Sequence, residues 1–157
     1  MTAPPIVRSI PDLQKFAISN GDTVKQALLA GPADGSPASV FVEIWDPHGA
    51  QPDNSHTDST EIFIILAGHG KAYSDSHVVD LNPGDVLILP EGSVHRIENT
   101  SATERMYAVT VMALDAGAMA GAFAKLVSDG VPEPMDSIDL TTLFGGEPTE
   151  NSLGARR

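Results

Sequence analysis

The feature that most restricts the fold of this chain is a series of short β-rich runs, each bounded by turn-forming residues. The runs lie between Ser39 and Ala113, and glycine, proline, aspartate or asparagine recurs between them. These residue types favour tight turns, and strands separated by turns about every ten residues are typical of an all-β sandwich or barrel. The runs are residues 40–45, 61–67, 71–74, 78–81, 86–89, 95–99 and 107–113.

The segments on either side of this region have a different character. Residues 1–38 are predicted to form an N-terminal arm and an irregular or strand-forming segment, in which residues 22–29 are compatible with a strand or with one helical turn. Residues 39–113 are predicted to form the barrel. Residues 131–157 are predicted to be a partly disordered tail, with residues 140–144 as its apolar anchor.

Residues 114–130 are predicted to form a C-terminal α-helix. Asp115 is a suitable N-cap, and Gly130 is a suitable residue just beyond the end of the helix. Apolar side chains recur at helical spacing between these two positions, which predicts a stripe packed on the barrel or on a partner subunit. The stripe consists of Met119, Ala122, Phe123 and Leu126.

Composition excludes several classes of partner and site. The chain has 157 residues and no cysteine, so any metal ion must be bound by imidazole and oxygen groups. Its 21 acidic and 9 basic residues give a formal net charge of −12, which disfavours nucleic acids and anionic membranes as partners. The apolar run 62–67 is too short to span a bilayer, and the first residues lack a signal-peptide pattern. A cytoplasmic location is therefore expected.

The most specific motif lies within residues 84–99. It has the pattern Gly-x5-Pro-x-Gly-x2-His-x3-Asn, in which the glycines permit turns with positive φ and the proline ends a strand. The histidine begins the next strand, where its side chain can point into a barrel. The asparagine can satisfy backbone groups at the far end of that strand. The fixed positions are Gly84, Pro90, Gly92, His95 and Asn99.

A second group of candidate residues precedes this motif. Glu61 lies seven residues before Gly68, and His56 lies five residues before Glu61. Asn54 lies two residues before His56, and Gly49 lies further upstream. The group therefore offers an imidazole, a carboxylate and an amide, which are all groups that bind divalent metal ions.

Together the two groups resemble the two motifs of the cupin superfamily. The later motif matches at every fixed position. The earlier one departs from the family pattern at Asn54, which stands where the family has its first histidine, and at Gly49, which lies one residue closer than expected. The resemblance covers residues 39–113 and implies a double-stranded β-helix, or jelly-roll barrel. The complete expectation is an all-β fold with a C-terminal α-helix.

The resemblance also implies a metal site. In the family, three histidines and a glutamate bind iron, manganese, nickel, copper or zinc inside the barrel. By resemblance His56, Glu61 and His95 are metal ligands, and Glu61 is also the candidate catalytic carboxylate. Asn54 binds through its amide oxygen, binds through water, or does not bind. Iron(II) is the expected metal, with manganese, nickel and zinc as alternatives, since two histidines and a carboxylate form the facial triad of Fe(II) oxygenases.

Other polar residues receive weaker assignments. His48, His69 and His77 are expected to be solvated turn residues, although His48 or Asp58 is an alternative for the position that Asn54 leaves open. Alternation along residues 61–67 places Phe63 and Ile65 on the same side as Glu61. The phases of residues 40–45 and 107–112 stay open at this point. Glu43 and Tyr107 are candidate acid–base groups, for which core or surface roles are favoured.

Three functions are consistent with these residues. The leading hypothesis is a non-haem Fe(II) dioxygenase acting on a small apolar or aromatic substrate. The second is a metal-dependent isomerase, lyase or cyclase, in which the metal acts as a Lewis acid. The third is a binding module without catalysis, which the asparagine at position 54 favours. By resemblance the chain forms a homodimer, with the N-terminal arm or the C-terminal helix as contacts.

Overall fold

The computed structural model describes residues 2–113 and 122–145. The strands within these residues are β1 (Gln14–Ala17), β2 (Val24–Ala30), β3 (Ser39–Trp45), β4 (Glu61–Ala67), β5 (Gly70–Ser74), β6 (His77–Leu81), β7 (Val86–Leu89), β8 (His95–Asn99), β9 (Met106–Met112) and β10 (Val131–Pro134). The α-helices are α1 (Ala122–Ser128) and α2 (Ser137–Phe144). No helix in the described part of the chain is long and apolar enough to cross a membrane.

The strands form two antiparallel sheets. The larger sheet has the order β10-β1-β2-β3-β9-β4-β7, and the smaller has the order β6-β5-β8. A buried apolar cluster joins them, with Phe63 of β4 and Ala108 of β9 on one side and Ala72 of β5 and Ile97 of β8 on the other. The space between the sheets is the interior of the barrel. The all-β expectation is confirmed.

Burial decides the two alternations that the sequence left open. Trp45 packs in the interior cluster, so the side chains of Phe41, Glu43 and Trp45 share the interior face of β3. Val42 and Ile44 instead pack in a separate cluster on the outer face of the larger sheet. Tyr107 belongs to that outer cluster as well, because it lies opposite Ile44 in the register of β3 and β9.

The larger sheet extends beyond residues 39–113. β2 pairs with β3 along its length, so the ambiguous run 22–29 is a strand and not a helical turn. β1 pairs with β2 on one side and with β10 on the other. Both the N-terminal segment and the beginning of the predicted tail therefore contribute strands. The rest of the predicted tail, residues 146–157, lies outside the described residues.

A buried ion-pair network holds α2 against the sheet. Lys15 of β1 lies 2.5 Å from Asp139, and Arg105 lies 2.7 Å from Asp136, which caps the N-terminus of α2. The Tyr107 hydroxyl donates to Asp139 at 2.9 Å, and burial together with this bond raises the pKa of Tyr107 to about 12. Burial acts against the charge of Asp136, but hydrogen bonds from Arg105 and Lys15 keep its pKa well below its usual range.

α1 packs on the barrel through only part of the predicted stripe. Phe123 and Val127 contact the cluster of Phe41 and Met112, whereas Leu126 is 51% exposed. Asp115 and Met119 lie outside the described residues. Gly130 also has a different role. A Cβ atom there would lie 2.3 Å from the Ala17 carbonyl oxygen, so glycine is required by a close approach of two backbone segments.

Candidate metal centre

Two turns place the histidine of the later motif. Gly84 and Gly92 have φ angles of 92° and 80°, which confirms the predicted left-handed turns on either side of β7. β8 begins at His95, and at its far end Asn99 donates to the carbonyl oxygens of Glu104 at 2.8 Å and Asp46 at 3.0 Å. The amide of Asn99 thus ties the end of β8 to the segment that follows β3 and to the segment that precedes β9.

His56, Glu61 and His95 meet inside the barrel, and we refer to this group of candidate ligands as the metal centre. Their potential ligand atoms all lie within 4.8 Å of one another. Glu61 Oε2 is 2.9 Å from His95 Nε2 and 3.6 Å from His56 Nε2. Glu61 and His95 are buried, whereas the side chain of His56 is 22% exposed. The group therefore lies in the interior and is reached from solvent on the His56 side.

The imidazole of His95 is held in an orientation suited to a metal ion. Its Nδ1 lies 3.0 Å from the Ser93 carbonyl oxygen, to which it donates, so Nε2 is the atom that faces Glu61. This arrangement is the usual support for a ligating histidine. Burial acts against the protonated ring, but the hydrogen bond and the charge of Glu61 outweigh it and raise the pKa of His95.

Asn54 lies beside the metal centre. Its backbone forms two hydrogen bonds with His95, at 2.8 and 2.9 Å, so the two residues are directly opposed in an antiparallel bridge. Opposed residues carry their side chains on the same face, which directs Asn54 to the same side as His95. Its Nδ2 donates to the Pro52 carbonyl oxygen at 3.0 Å, and its Oδ1 has no hydrogen bond within the described residues. Ligation by Oδ1 stays a prediction.

The other candidate ligands lie elsewhere. His48 and Asp58 are exposed, and neither belongs to the histidine–carboxylate group that the described residues form. His69 and His77 are exposed, as expected, but His77 is the first residue of β6 and not part of a turn. The position that Asn54 occupies is therefore not taken over by a second acidic or histidine side chain from the described residues.

Aromatic rings line the side of the metal centre that faces α1. The ring of Phe123 lies 5.8 Å from the ring of His56 and 5.3 Å from the ring of Phe41, both in edge-to-face geometry. Met112 lies opposite Glu61 in the register of β4 and β9 and is buried. This side of the metal centre is therefore apolar.

Sequence reasoning missed most of a polar cluster in the same interior. Glu43 is fully buried, and its carboxylate accepts hydrogen bonds from Gln26, from Thr110 at 3.0 Å and from Gln51 at 3.3 Å. We call these four residues the Glu43 cluster. Burial, and secondarily the charge of Glu61, raises the pKa of Glu43 to about 8. The signal for Gln26 was its place between Val24 and Leu28 on the inward side of β2. The other acid–base candidate, Tyr107, faces outward.

The two-sheet architecture with a histidine–carboxylate group inside it defines a jelly-roll barrel with an internal polar site. A model of the cupin domain matches residues 41–112, so these residues of the barrel form a cupin domain. The donor set fits a divalent metal ion: two imidazoles and a carboxylate converge, and the support of His95 by Ser93 is already in place.

Individual relatives resemble parts of the chain. It is 28% identical over 95 residues to the oxalate-binding protein of Thermotoga maritima, which covers 60% of this chain and 78% of that protein. It is 34% identical over 59 residues to a germin-like protein of Mesembryanthemum crystallinum, covering 31% of this chain and only 25% of that protein. The crystal structure of a predicted oxalate decarboxylase from Thermotoga maritima superposes with a TM-score of 0.61 at 25% identity, covering 70% of this chain and 99% of that one.

Proposed function

We propose that this chain is a mononuclear metal-dependent enzyme, a non-haem Fe(II) dioxygenase that acts on a small apolar or aromatic substrate. The observation that carries the proposal is the convergence of His56, Glu61 and His95 within 4.8 Å in the interior of the barrel. Two histidines and one carboxylate are the ligand composition of the facial triad, which leaves positions for O₂ and substrate. Manganese, nickel and zinc are the alternative metals.

The residues of the chain have separable roles in such an enzyme. His56, Glu61 and His95 would hold the metal, with Asn54 as a fourth candidate, and iron would supply the activation of O₂. Glu61 provides the negative charge of the site, and Ser93 keeps His95 in the correct orientation through its carbonyl oxygen. Phe41 and Phe123 provide an apolar wall that packs against a hydrocarbon part of the substrate and excludes water.

A second candidate function is suggested by the oxalate-binding relative, which is 28% identical. In that case the metal would act without O₂, either as a Lewis acid or as an anchor for a bound dicarboxylate. Two observations favour the dioxygenase over this candidate. The wall beside the site is apolar, and no Lys or Arg in the described part of the chain forms an ion pair with the interior carboxylates.

An oxygen-electrode experiment tests the proposal. Protein reconstituted anaerobically with Fe(II) is mixed with a panel of phenolic, keto and diketone substrates, and O₂ uptake is followed. We expect iron-dependent uptake with at least one substrate, no uptake by His95→Ala, and full uptake by His77→Ala, an exposed histidine outside the site. Turnover that continues without O₂ and with zinc in place of iron would support the second candidate instead.

A homodimer and a cytoplasmic location are further parts of the proposal. The outer face of β4 and β7 carries Ile64, Leu66, Val86 and Ile88, which are exposed, and we call this surface the β4–β7 face. Ile64 lies opposite Val86 in the register of the two strands, so the patch is continuous. Two copies of a chain with a net charge of −12 repel each other least across an uncharged surface, so a second copy is the expected partner. Cell fractionation tests the location.

A further inference from the structure

The Glu43 cluster contains two buried amide oxygens without a hydrogen-bond partner in the described part of the chain. Gln26 donates to Glu43 through Nε2, and its Oε1 is buried without a partner. Gln51 has the same arrangement, with Nε2 on Glu43 and a buried, unpartnered Oε1. The Thr110 hydroxyl also donates to Glu43. Each of the three donor atoms therefore has a partner within the cluster, whereas two buried amide oxygens have none.

The cluster borders the metal centre. Thr110 lies opposite Phe63 on β4, and Phe63 follows Glu61 on the same interior face of that strand. Phe41 precedes Glu43 on the interior face of β3, and its ring contacts Phe123, which in turn contacts His56. The charge of Glu61 also contributes to the raised pKa of Glu43, as expected for neighbouring carboxyl groups. A small molecule at the metal centre would therefore have the cluster at its side.

No positive side chain balances these acceptors within the described residues. Lys15 pairs with Asp136 and Asp139, and Lys25 pairs with Asp46 and Glu133, all on the outer side or at the edge of the sheet. Arg96 and Arg105 likewise pair with other carboxylates. A carboxylate group placed beside the two amide oxygens would meet acceptors and gain no ion pair, whereas a hydroxyl group could donate to them.

We propose that Glu43, Gln26 and Gln51 form a specificity subsite that accepts a neutral hydroxyl group of the substrate and discriminates against carboxylates. The subsite rests on the proposed function, since its ligand is the substrate of the metal centre. The substrate class is thereby narrowed to a small molecule with an apolar body and a hydroxyl group. Buried acceptors that a ligand leaves unpaired cost affinity, so an analogue lacking the hydroxyl is rejected.

Benzyl alcohol and benzoate are suitable probes because they share a ring and differ in the polar group. Binding is measured by calorimetry on Co(II)-loaded protein under argon, and the visible absorption of Co(II) reports metal occupancy independently. We expect wild-type protein to bind benzyl alcohol at least about tenfold more tightly than benzoate, and Gln26→Met and Gln51→Met each to weaken benzyl alcohol about tenfold. Gln14→Met, at an exposed glutamine on β1, is the matched control and should bind as wild type does.

Several outcomes would overturn the subsite. Benzoate or oxalate binding as tightly as benzyl alcohol to the wild type would do so. Unchanged benzyl alcohol affinity in the Gln51→Met variant would mean that water alone satisfies the amide oxygens. Gln51 lies in a loop and is half-buried, so this variant carries the test if Gln26→Met fails to fold. If only the dioxygenase proposal is wrong, the protein shows no iron-dependent O₂ uptake but still prefers benzyl alcohol to benzoate. The two proposals can therefore fail separately.

Discussion

Replacing Glu43 by glutamine should remove a specific pH dependence of stability. In the metal-free fold the pKa of Glu43 is about 8, whereas an ordinary glutamate titrates near 4.5. The folded state therefore keeps its proton over a range in which the unfolded chain loses it, and stability falls as pH rises from about 4.5 to 8. The gap corresponds to at most about 5 kcal/mol of unfolding free energy, fully lost above pH 8. Glu43→Gln does not titrate and should not show this loss.

Urea unfolding of chelator-treated protein between pH 5 and 9 measures the effect. The chain has a single tryptophan, Trp45, which is fully buried, so its fluorescence reports unfolding. The difference in stability between Glu43→Gln and wild type should rise steadily in favour of the variant up to about pH 8 and then level off. Glu104→Gln, at an exposed glutamate, removes the same charge and should give a nearly flat difference. A flat difference for Glu43→Gln would refute the reasoning.

Three further predictions concern the buried ion pair of Lys15, the dimer interface and the fourth ligand position. Lys15→Met breaks the buried pair with Asp139 and should lower the free energy of unfolding, measured in urea, by about 3 kcal/mol. Lys71→Met, at an exposed pair, should leave the melting temperature nearly unchanged. Ile88→Lys, which places a charge at the centre of the β4–β7 face, should convert a dimer to a monomer in analytical ultracentrifugation, and a dimer that persists would place the interface elsewhere. Asn54→His should tighten Co(II) binding by about tenfold or more in a competition titration, because it adds an imidazole beside His95, and unchanged affinity would show that position 54 does not reach the metal.

The central strands were predictable from the sequence because each carries its own signal. β4 has the predicted limits, Glu61 to Ala67, since a continuous apolar run forms it and the turn at Gly68 follows it. β8 begins at His95 and ends at Asn99, as the later motif requires. The convergence of His56, Glu61 and His95 was predicted from the family resemblance. No local sequence pattern indicates that these three residues lie close together in space.

Other parts depend on long-range contacts and were not predictable. β1 and β10 are each four residues long, and they exist because they pair with each other and because Lys15 reaches Asp139 on α2. The inward position of Glu43 depends on which face of β3 the helix α2 covers, and this is set by packing between distant segments. The predicted stripe on α1 holds at Phe123 and fails at Leu126, because the face of the helix that packs is set by its contacts with Phe41 and Met112 on distant strands.

The metal content of reconstituted protein tests the central claim most directly. Wild-type chain, His95→Ala and His77→Ala are loaded anaerobically with Fe(II), desalted and analysed for iron and protein. We predict close to a single ion per chain for the wild type and for His77→Ala, and a nearly complete loss of iron for His95→Ala, since this change removes one of the two buried ligands. Full iron occupancy in His95→Ala would contradict the assignment of His56, Glu61 and His95 as a metal centre.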